Sequence, residues 1–355
     1  MNKITTEFYN IYFSNNENFD FYLKKYSKIF LLTDNIIYEN CFNLFLERFN
    51  INRDNLNIII IETGEKNKNL TTCVKIWEEL TKNEADRNSL LINLGGGVIS
   101  DMGGFCASVF KRGISCINIP TTLLSQVDAS VGAKTGIDFE GLKNNLGTFS
   151  NPIAVYIYPE FIKTLDKKNL ISGYAEMLKH ALLKGDNFFE ELEKIDFNNL
   201  ETLEKLIFKS VEIKKEVVEK DPYEKNVRKT LNFGHTIGHG IESYFLLNRK
   251  EEMLHGEAVA IGLICELYLS KITKNFSNEL LSKISKFIIS IYGFYKITEP
   301  EINEIIKFMK NDKKNSNNKI NFVLLESLGI PIIDNFIEEK YIEDSIKFYI
   351  SSSYT

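Results

Sequence analysis

Five short, largely apolar runs without strict alternation recur through the first 158 residues: Lys28 to Thr33 (KIFLLT), Asn57 to Ile61 (NIIII), Leu90 to Leu94 (LLINL), Ile114 to Ile119 (ISCINI) and Ile153 to Ile157 (IAVYI). A strand with one wet face alternates apolar and polar residues. A run that is apolar throughout suits burial on both faces, as in the parallel sheet of an α/β protein. Helix-period stretches separate the runs, among them Leu70 to Thr81 and Val98 to Val109. This alternation predicts βαβ units and a doubly wound sheet.

After about residue 158 the pattern changes. Helical periodicity dominates Ser172 to Lys184, Leu200 to Glu219, Leu231 to Phe245, Glu257 to Leu269 and Asn278 to Tyr292, and only Ile320 to Leu325 (INFVLL) reads as a strand. At about 150 residues per domain, a chain of 355 residues suits two. The expected division is 1–158, an α/β domain, and 159–355, a mostly α-helical one, with the boundary near Tyr158-Pro159.

Composition closes off several function classes. With 44% hydrophobic and 26% charged residues, the chain can bury a core and is not disordered. A net charge of −5 and a pI of about 5.7 argue against a nucleic-acid partner, since that affinity rests on neutralising phosphates. They leave room for a local basic pocket holding a small phosphorylated ligand. The five cysteines are odd in number and form no Cys-x-x-Cys pair, so the expectation is reduced thiols in a cytoplasmic protein. The polar N-terminus does not read as a secretory signal, and no apolar stretch reaches the length of a membrane span.

Several segments could carry chemistry. In Leu94 to Asp101 (LGGGVISD) a strand ends in three glycines where a helix begins. Such a turn fits a phosphate held at a helix N-terminus, and it fits a plain tight βα connection equally well. Asp128 to Asn144 sets Lys134, Lys143 and Asn144 among glycines in what reads as irregular backbone, suited to anion binding as much as to solvated loop lysines. The four histidines are more informative: His235, His239 and His255 fall in one 21-residue window. Spacing alone nominates His235 and His239 as a metal-ligand pair on one helix face, with His255 or a glutamate as third. Glu176 and Lys179, three apart on a helix, read in isolation as an ordinary surface ion pair. Arg228, Asn232, His235 and His239 fall at helical spacing and would form one polar stripe, a candidate pocket wall beside the metal site.

Taken jointly, LGGGVISD, IPTTLLSQVDASVGAKTGID, GYAEMLKH, LNFGHTIGHGIE and LHGEAVAIG resemble the 3-dehydroquinate synthase family of sugar phosphate cyclases, from about Asp34 to Ile330. The resemblance implies an N-terminal Rossmann-like NAD-binding domain, a helical metal- and substrate-binding domain, and a homodimer. It implies tightly held NAD and one zinc ion, with cobalt as the alternative. Its metal ligands would be Glu176, His235 and His255, with His239 instead facing the substrate phosphate. The NAD site would use Asp34, Asn35, Glu65, Lys68, Gly96, Gly97, Val98, Asp101, Thr121, Thr122, Lys143, Phe161 and Thr164. Substrate contacts would be Arg112 (from the neighbouring subunit), Asp128, Lys134, Asn144, Lys179, Lys214, Arg228, Asn232, His239 and Lys313. Glu224 and His239 would transfer protons, while Lys134 and Arg228 hold charge at the reacting centre.

The implied reaction takes a phosphorylated keto acid, 3-deoxy-D-arabino-heptulosonate 7-phosphate, to 3-dehydroquinate and phosphate. Transient oxidation by NAD, phosphate elimination, reduction and an aldol closure follow one another, so NAD is regenerated in each cycle. Two readings compete, a 2-deoxy-scyllo-inosose synthase and a glycerol dehydrogenase-type enzyme. Lys214 and Arg228 suit a substrate carboxylate that the first competitor lacks. The sequence departs from the family in Glu140-Gly141-Leu142 before Lys143, in His180 after Lys179, and in a slightly long stretch between His239 and His255.

Overall fold

The computed structural model describes residues 2–140, 142–250, 253–310 and 320–352. The chain forms two compact units: Met1–Asp166 with Asp196–Tyr223, and Lys167–Ile195 with Glu224–Thr355. A single boundary at Tyr158-Pro159 is therefore too simple. The first crossing comes after Asp166, and the chain returns to the first unit for one long helix.

The first unit opens with a small hairpin, β1 (Lys3–Thr5) and β2 (Asn10–Phe13), then α1 (Phe19–Lys25). The expected alternation follows as β3 (Ile29–Asp34), α2 (Asn35–Phe49), β4 (Asn57–Ile61), α3 (Leu70–Lys82), β5 (Leu90–Gly95), α4 (Gly97–Val109) and β6 (Ser115–Pro120). A second hairpin, β7 (Lys134–Phe139) and β8 (Leu142–Phe149), precedes β9 (Ala154–Ile157). The main sheet runs β1-β2-β9-β6-β5-β3-β4, parallel except for the β1–β2 pair at its edge.

The apolar runs are explained by this placement. All six residues of β3 and of β5 are buried. Alternate side chains feed two cores, Leu31, Ile92 and Ile117 into one and Phe30, Leu32, Leu91 and Cys116 into the other. The segment after Asp128 corrects an expectation: it is the β7–β8 hairpin, not irregular loop. Lys134 opens one of its strands, and Lys143 and Asn144 lie on the other.

In the second unit the chain forms α5 (Lys167–Lys184) and α6 (Phe188–Leu192), and then leaves it for α7 (Leu200–Lys220) in the first. The rest of the second unit is α8 (His235–Asn248), α9 (His255–Lys274), α10 (Asn278–Tyr292), α11 (Glu299–Lys310), the hairpin β10 (Ile320–Ser327) and β11 (Ile330–Ile337), and α12 (Glu339–Ser351). Helix α9 is the central piece, buried along almost its whole length from Gly256 to Ser270. No helix among the described residues is long and apolar enough to cross a membrane, and all five cysteines are buried thiols.

Candidate active site

The second unit gathers the histidines. His235 opens α8, His239 lies one turn on, and His255 opens α9. One ligand atom from each of the three lies within 4.8 Å of the others. Close backbone approach makes this possible. A Cβ at Gly262 would stand 1.9 Å from the Gly234 carbonyl, and one at Gly256 would stand 1.9 Å from the Ser172 carbonyl. Only hydrogen at these positions lets α9 press against the start of α8 and against α5.

Pressed against α9, α5 brings Glu176 into the cluster. Its Oε1 lies 3.3 Å from Nε2 of His235 and 3.5 Å from Nε2 of His255, and its Oε2 pairs with Lys179 Nζ. Glu176 and Lys179 are 0% and 1% exposed, so the surface ion pair expected from their spacing is instead a buried one. Burial pushes the Glu176 carboxyl up, but Lys179 and the imidazoles outweigh it and hold it well below the usual carboxylate range. Apart from the pairing with Lys179, neither carboxylate oxygen has a hydrogen-bond partner among the described residues. A buried, ionised carboxylate with two imidazole Nε2 atoms aimed at it is a donor set that could hold zinc or cobalt.

Each imidazole is also held from behind. His235 Nδ1 lies 3.1 Å from the Phe233 carbonyl, and His255 Nδ1 lies 3.3 Å from Glu242 Oε2. Burial pushes the His235 pKa down. At His255 burial is outweighed by Glu242 and Glu176, which push its pKa up to about 10.

The polar stripe from Arg228 to His239 is not one helix face. Val227–Asn232 is a separate 3-10 turn, and Gly234, at φ +80°, breaks the chain before α8 begins. Arg228 is buried at 3% exposure. Asn232 donates to Glu224 Oε1 at 2.6 Å, which fixes the carboxylate expected to move a proton. Lys313 lies outside the described residues.

In the first unit the triple glycine joins β5 to α4, with Gly96 at the helix N-cap. Lys68 is buried and donates to Asp101 Oδ2 at 2.7 Å and to Asn144 Oδ1 at 2.6 Å, tying α4 to the β7–β8 hairpin. Asp34 caps α2 by accepting the Ile37 N–H at 2.9 Å, and Asn35 accepts the Thr63 N–H at 2.9 Å. Lys143 Nζ lies 3.9 Å from Glu65 Oε1. Thr122 bonds Ser125, and the Thr164 hydroxyl donates to the Phe161 carbonyl at 2.7 Å. Thr121 is fully buried, and its hydroxyl has no partner among the described residues. Lys214, on α7, donates to the Asp128 carbonyl and to its Oδ1, both at 2.7 Å. Arg112 is exposed in the turn Phe110–Arg112.

Two residues were not singled out from the sequence. Glu242 follows His235 by seven and His239 by three, so helical spacing could have found it. Glu266 is the one charge between Glu257 and Lys271, and a charge inside so apolar a run must be paired. It is fully buried and accepts N–H groups from Gly234, Thr236 and Ile237 at 2.6, 3.1 and 3.3 Å.

Comparison with known proteins places the chain in a family. Residues 58–172 match the family model described as 3-dehydroquinate synthase N-terminal, and residues 173–315 match its C-terminal counterpart. A 3-dehydroquinate synthase of Parabacteroides distasonis is 44% identical over 330 residues, 92% of this chain and 93% of the relative. Among solved structures, 2-deoxy-scyllo-inosose synthase complexed with carbaglucose-6-phosphate, NAD+ and Co2+ superposes with a TM-score of 0.83 at 21% identity, covering 98% of this chain and 99% of that one. A 2-epi-5-epi-valiolone synthase from Streptomyces hygroscopicus subsp. jinggangensis 5008, with NAD+ and Zn2+ bound, gives 0.82 at 22% identity, covering 99% of each chain. Both structures share the fold, whereas identity over nearly the full length lies with the first relative: the chain belongs to the 3-dehydroquinate synthase family.

Proposed function

We infer that the protein is a phosphate-eliminating lyase of the shikimate pathway, converting 3-deoxy-D-arabino-heptulosonate 7-phosphate to 3-dehydroquinate and phosphate. The observation that carries this reading is Glu176, a buried carboxylate bracketed by Nε2 of His235 and of His255 and set in a chain that matches this family along most of its length.

Bound NAD would supply reversible hydride transfer at one substrate carbon, and a divalent metal, which Glu176, His235 and His255 would hold, would supply Lewis acidity toward the hydroxyl there. The chain's other residues bind and orient. Asp34, Asn35, Glu65, Lys68, Gly96, Gly97, Val98, Asp101, Thr121, Thr122, Lys143, Phe161 and Thr164 form the cofactor set. Lys134, Asn144, Lys179, Lys214, Arg228, Asn232 and His239 bind a substrate that is anionic at both ends, through charge-assisted hydrogen bonds. The Lys214–Asp128 and Lys179–Glu176 pairs hold two of those cations in place beforehand. Glu224, steadied by Asn232, and His239 are the protein's proton-transfer groups.

The same reading makes the protein a homodimer and cytoplasmic; five buried thiols suit the reducing compartment. Incubation with the heptulosonate phosphate, zinc and sub-stoichiometric NAD tests it. Product analysis should show 3-dehydroquinate and one equivalent of phosphate, without net NADH. Stoichiometric NADH would indicate a polyol dehydrogenase instead.

A further inference from the structure

We propose that Glu242 is a positioning residue for metal binding, acting through His255 and touching neither substrate nor cofactor. Helix α8 sets His235, His239 and Glu242 on one face at spacings of four and three. Glu242 is 6% exposed, and its Oε2 sits 3.3 Å from Nδ1 of His255, at the long end for a hydrogen bond. The other nitrogen of that ring, Nε2, lies 3.5 Å from Glu176 Oε1.

An imidazole that ligates a metal has given up its second proton and carries a single N–H. A carboxylate behind Nδ1 keeps the proton there and leaves the Nε2 lone pair directed at the metal position. Were the proton on Nε2, that nitrogen would donate to Glu176 and could not ligate. His255 is the ligand that needs this help. His235 has the backbone carbonyl of Phe233 behind it, at 3.1 Å, which no substitution removes. His255 has a side chain, so its orientation is a property of one replaceable residue.

The inference rests on His255 being a metal ligand, and the experiment separates the two ideas. Zinc affinity is measured on the metal-stripped, full-length protein by competition with a chromophoric chelator. The parent should bind one ion, and His255→Ala should not. Glu242→Ala should bind about 10- to 100-fold more weakly than the parent, the usual cost of losing such an outer partner. Glu242→Gln keeps an acceptor oxygen and should recover affinity to within about tenfold of the parent. With cobalt in place of zinc, the visible absorption of the Ala variant should shift while that of the Gln variant stays near the parent.

If Glu242→Ala cannot be obtained folded, Glu242→Asp replaces it, because the shorter side chain withdraws the carboxylate from Nδ1. The proposal is overturned if the Ala or Asp variant binds zinc as tightly as the parent, or if Gln restores nothing. If His255→Ala itself retains the ion, the ligand assignment is what has failed.

Discussion

The Glu266 carboxylate, in the middle of α9, accepts the Gly234 N–H at 2.6 Å, just ahead of the first residue of α8. Its other oxygen takes the N–H groups of Thr236 and Ile237 at 3.1 and 3.3 Å. One side chain therefore satisfies three donors around His235 that helix formation leaves orphaned. It also ties the helix carrying His235 and His239 to the one carrying His255. Glu266→Ala strands these donors in an apolar interior, and a loss of about 3 kcal/mol is expected. Glu266→Gln should cost less, about 1–2 kcal/mol, since one oxygen survives while the amide meets a single N–H group. Urea unfolding checks both values; an Ala variant as stable as the parent would show that the bonds contribute nothing net.

Why such a residue escaped notice while the strands did not is a matter of periodicity. Leu31, Ile92 and Ile117 are legible because a largely apolar run without alternation has few ways to be buried. The hairpins β1–β2 and β7–β8 lack that signature. LKNNLGTF in β8 is half-exposed and polar, and nothing in it excludes a loop. The histidine cluster was legible from counts alone, but the ligand set was not. Glu176 and Lys179 share a helix whose spacing cannot say which face is buried. The stripe from Arg228 to His239 assumed helical continuity that the left-handed Gly234 interrupts. The return of α7 to the first unit depends on long-range packing, which local pattern does not encode.

The metal reading has a simple removal test. Glu176→Gln keeps the volume and deletes the charge that the imidazoles and Lys179 face. The variant should purify without a stoichiometric divalent ion and without turnover, since a neutral amide is a poor zinc ligand. Elemental analysis of dialysed protein decides it. One tightly held ion per chain in this variant would exclude Glu176 as a ligand.

Acid sensitivity has one identifiable contributor in the second unit. Glu301 accepts from Arg249 Nη2 at 2.6 Å, Tyr244 Oη at 2.9 Å and the Thr298 N–H at 2.7 Å. Partial burial pushes its carboxyl up, but these donors outweigh it and hold the pKa at about 2. A depressed carboxylate stabilises the fold fully above its unfolded value, 4.5, and loses that contribution as pH falls toward 2. Glu301→Gln should therefore cost about 2 kcal/mol at neutral pH, and the gap to the parent should close through the acid range. Denaturation of both proteins at several pH values measures it. A gap that stays constant into acid would mean that the charge is not what matters.

Arg112 sits in the turn between α4 and β6, exposed, with its backbone at φ +70°. An exposed guanidinium held in strained backbone suits a contact made across the two-fold interface of the proposed homodimer to the neighbour's substrate phosphate. On that reading Arg112→Ala should weaken phosphate binding by about 1.5–3 kcal/mol, the worth of a charge-assisted hydrogen bond. It should do so without lowering the melting temperature. A mixed dimer gives the sharper test. Arg112→Ala and His235→Ala should each be poorly active alone. After subunit exchange, the heterodimer has one site carrying both lesions. Its other site combines the intact His235 of one chain with the intact Arg112 of its partner. Activity should reappear in the mixture, approaching half of the parent's per heterodimer. If exchange is demonstrated and no activity returns, Arg112 serves its own chain or no site at all.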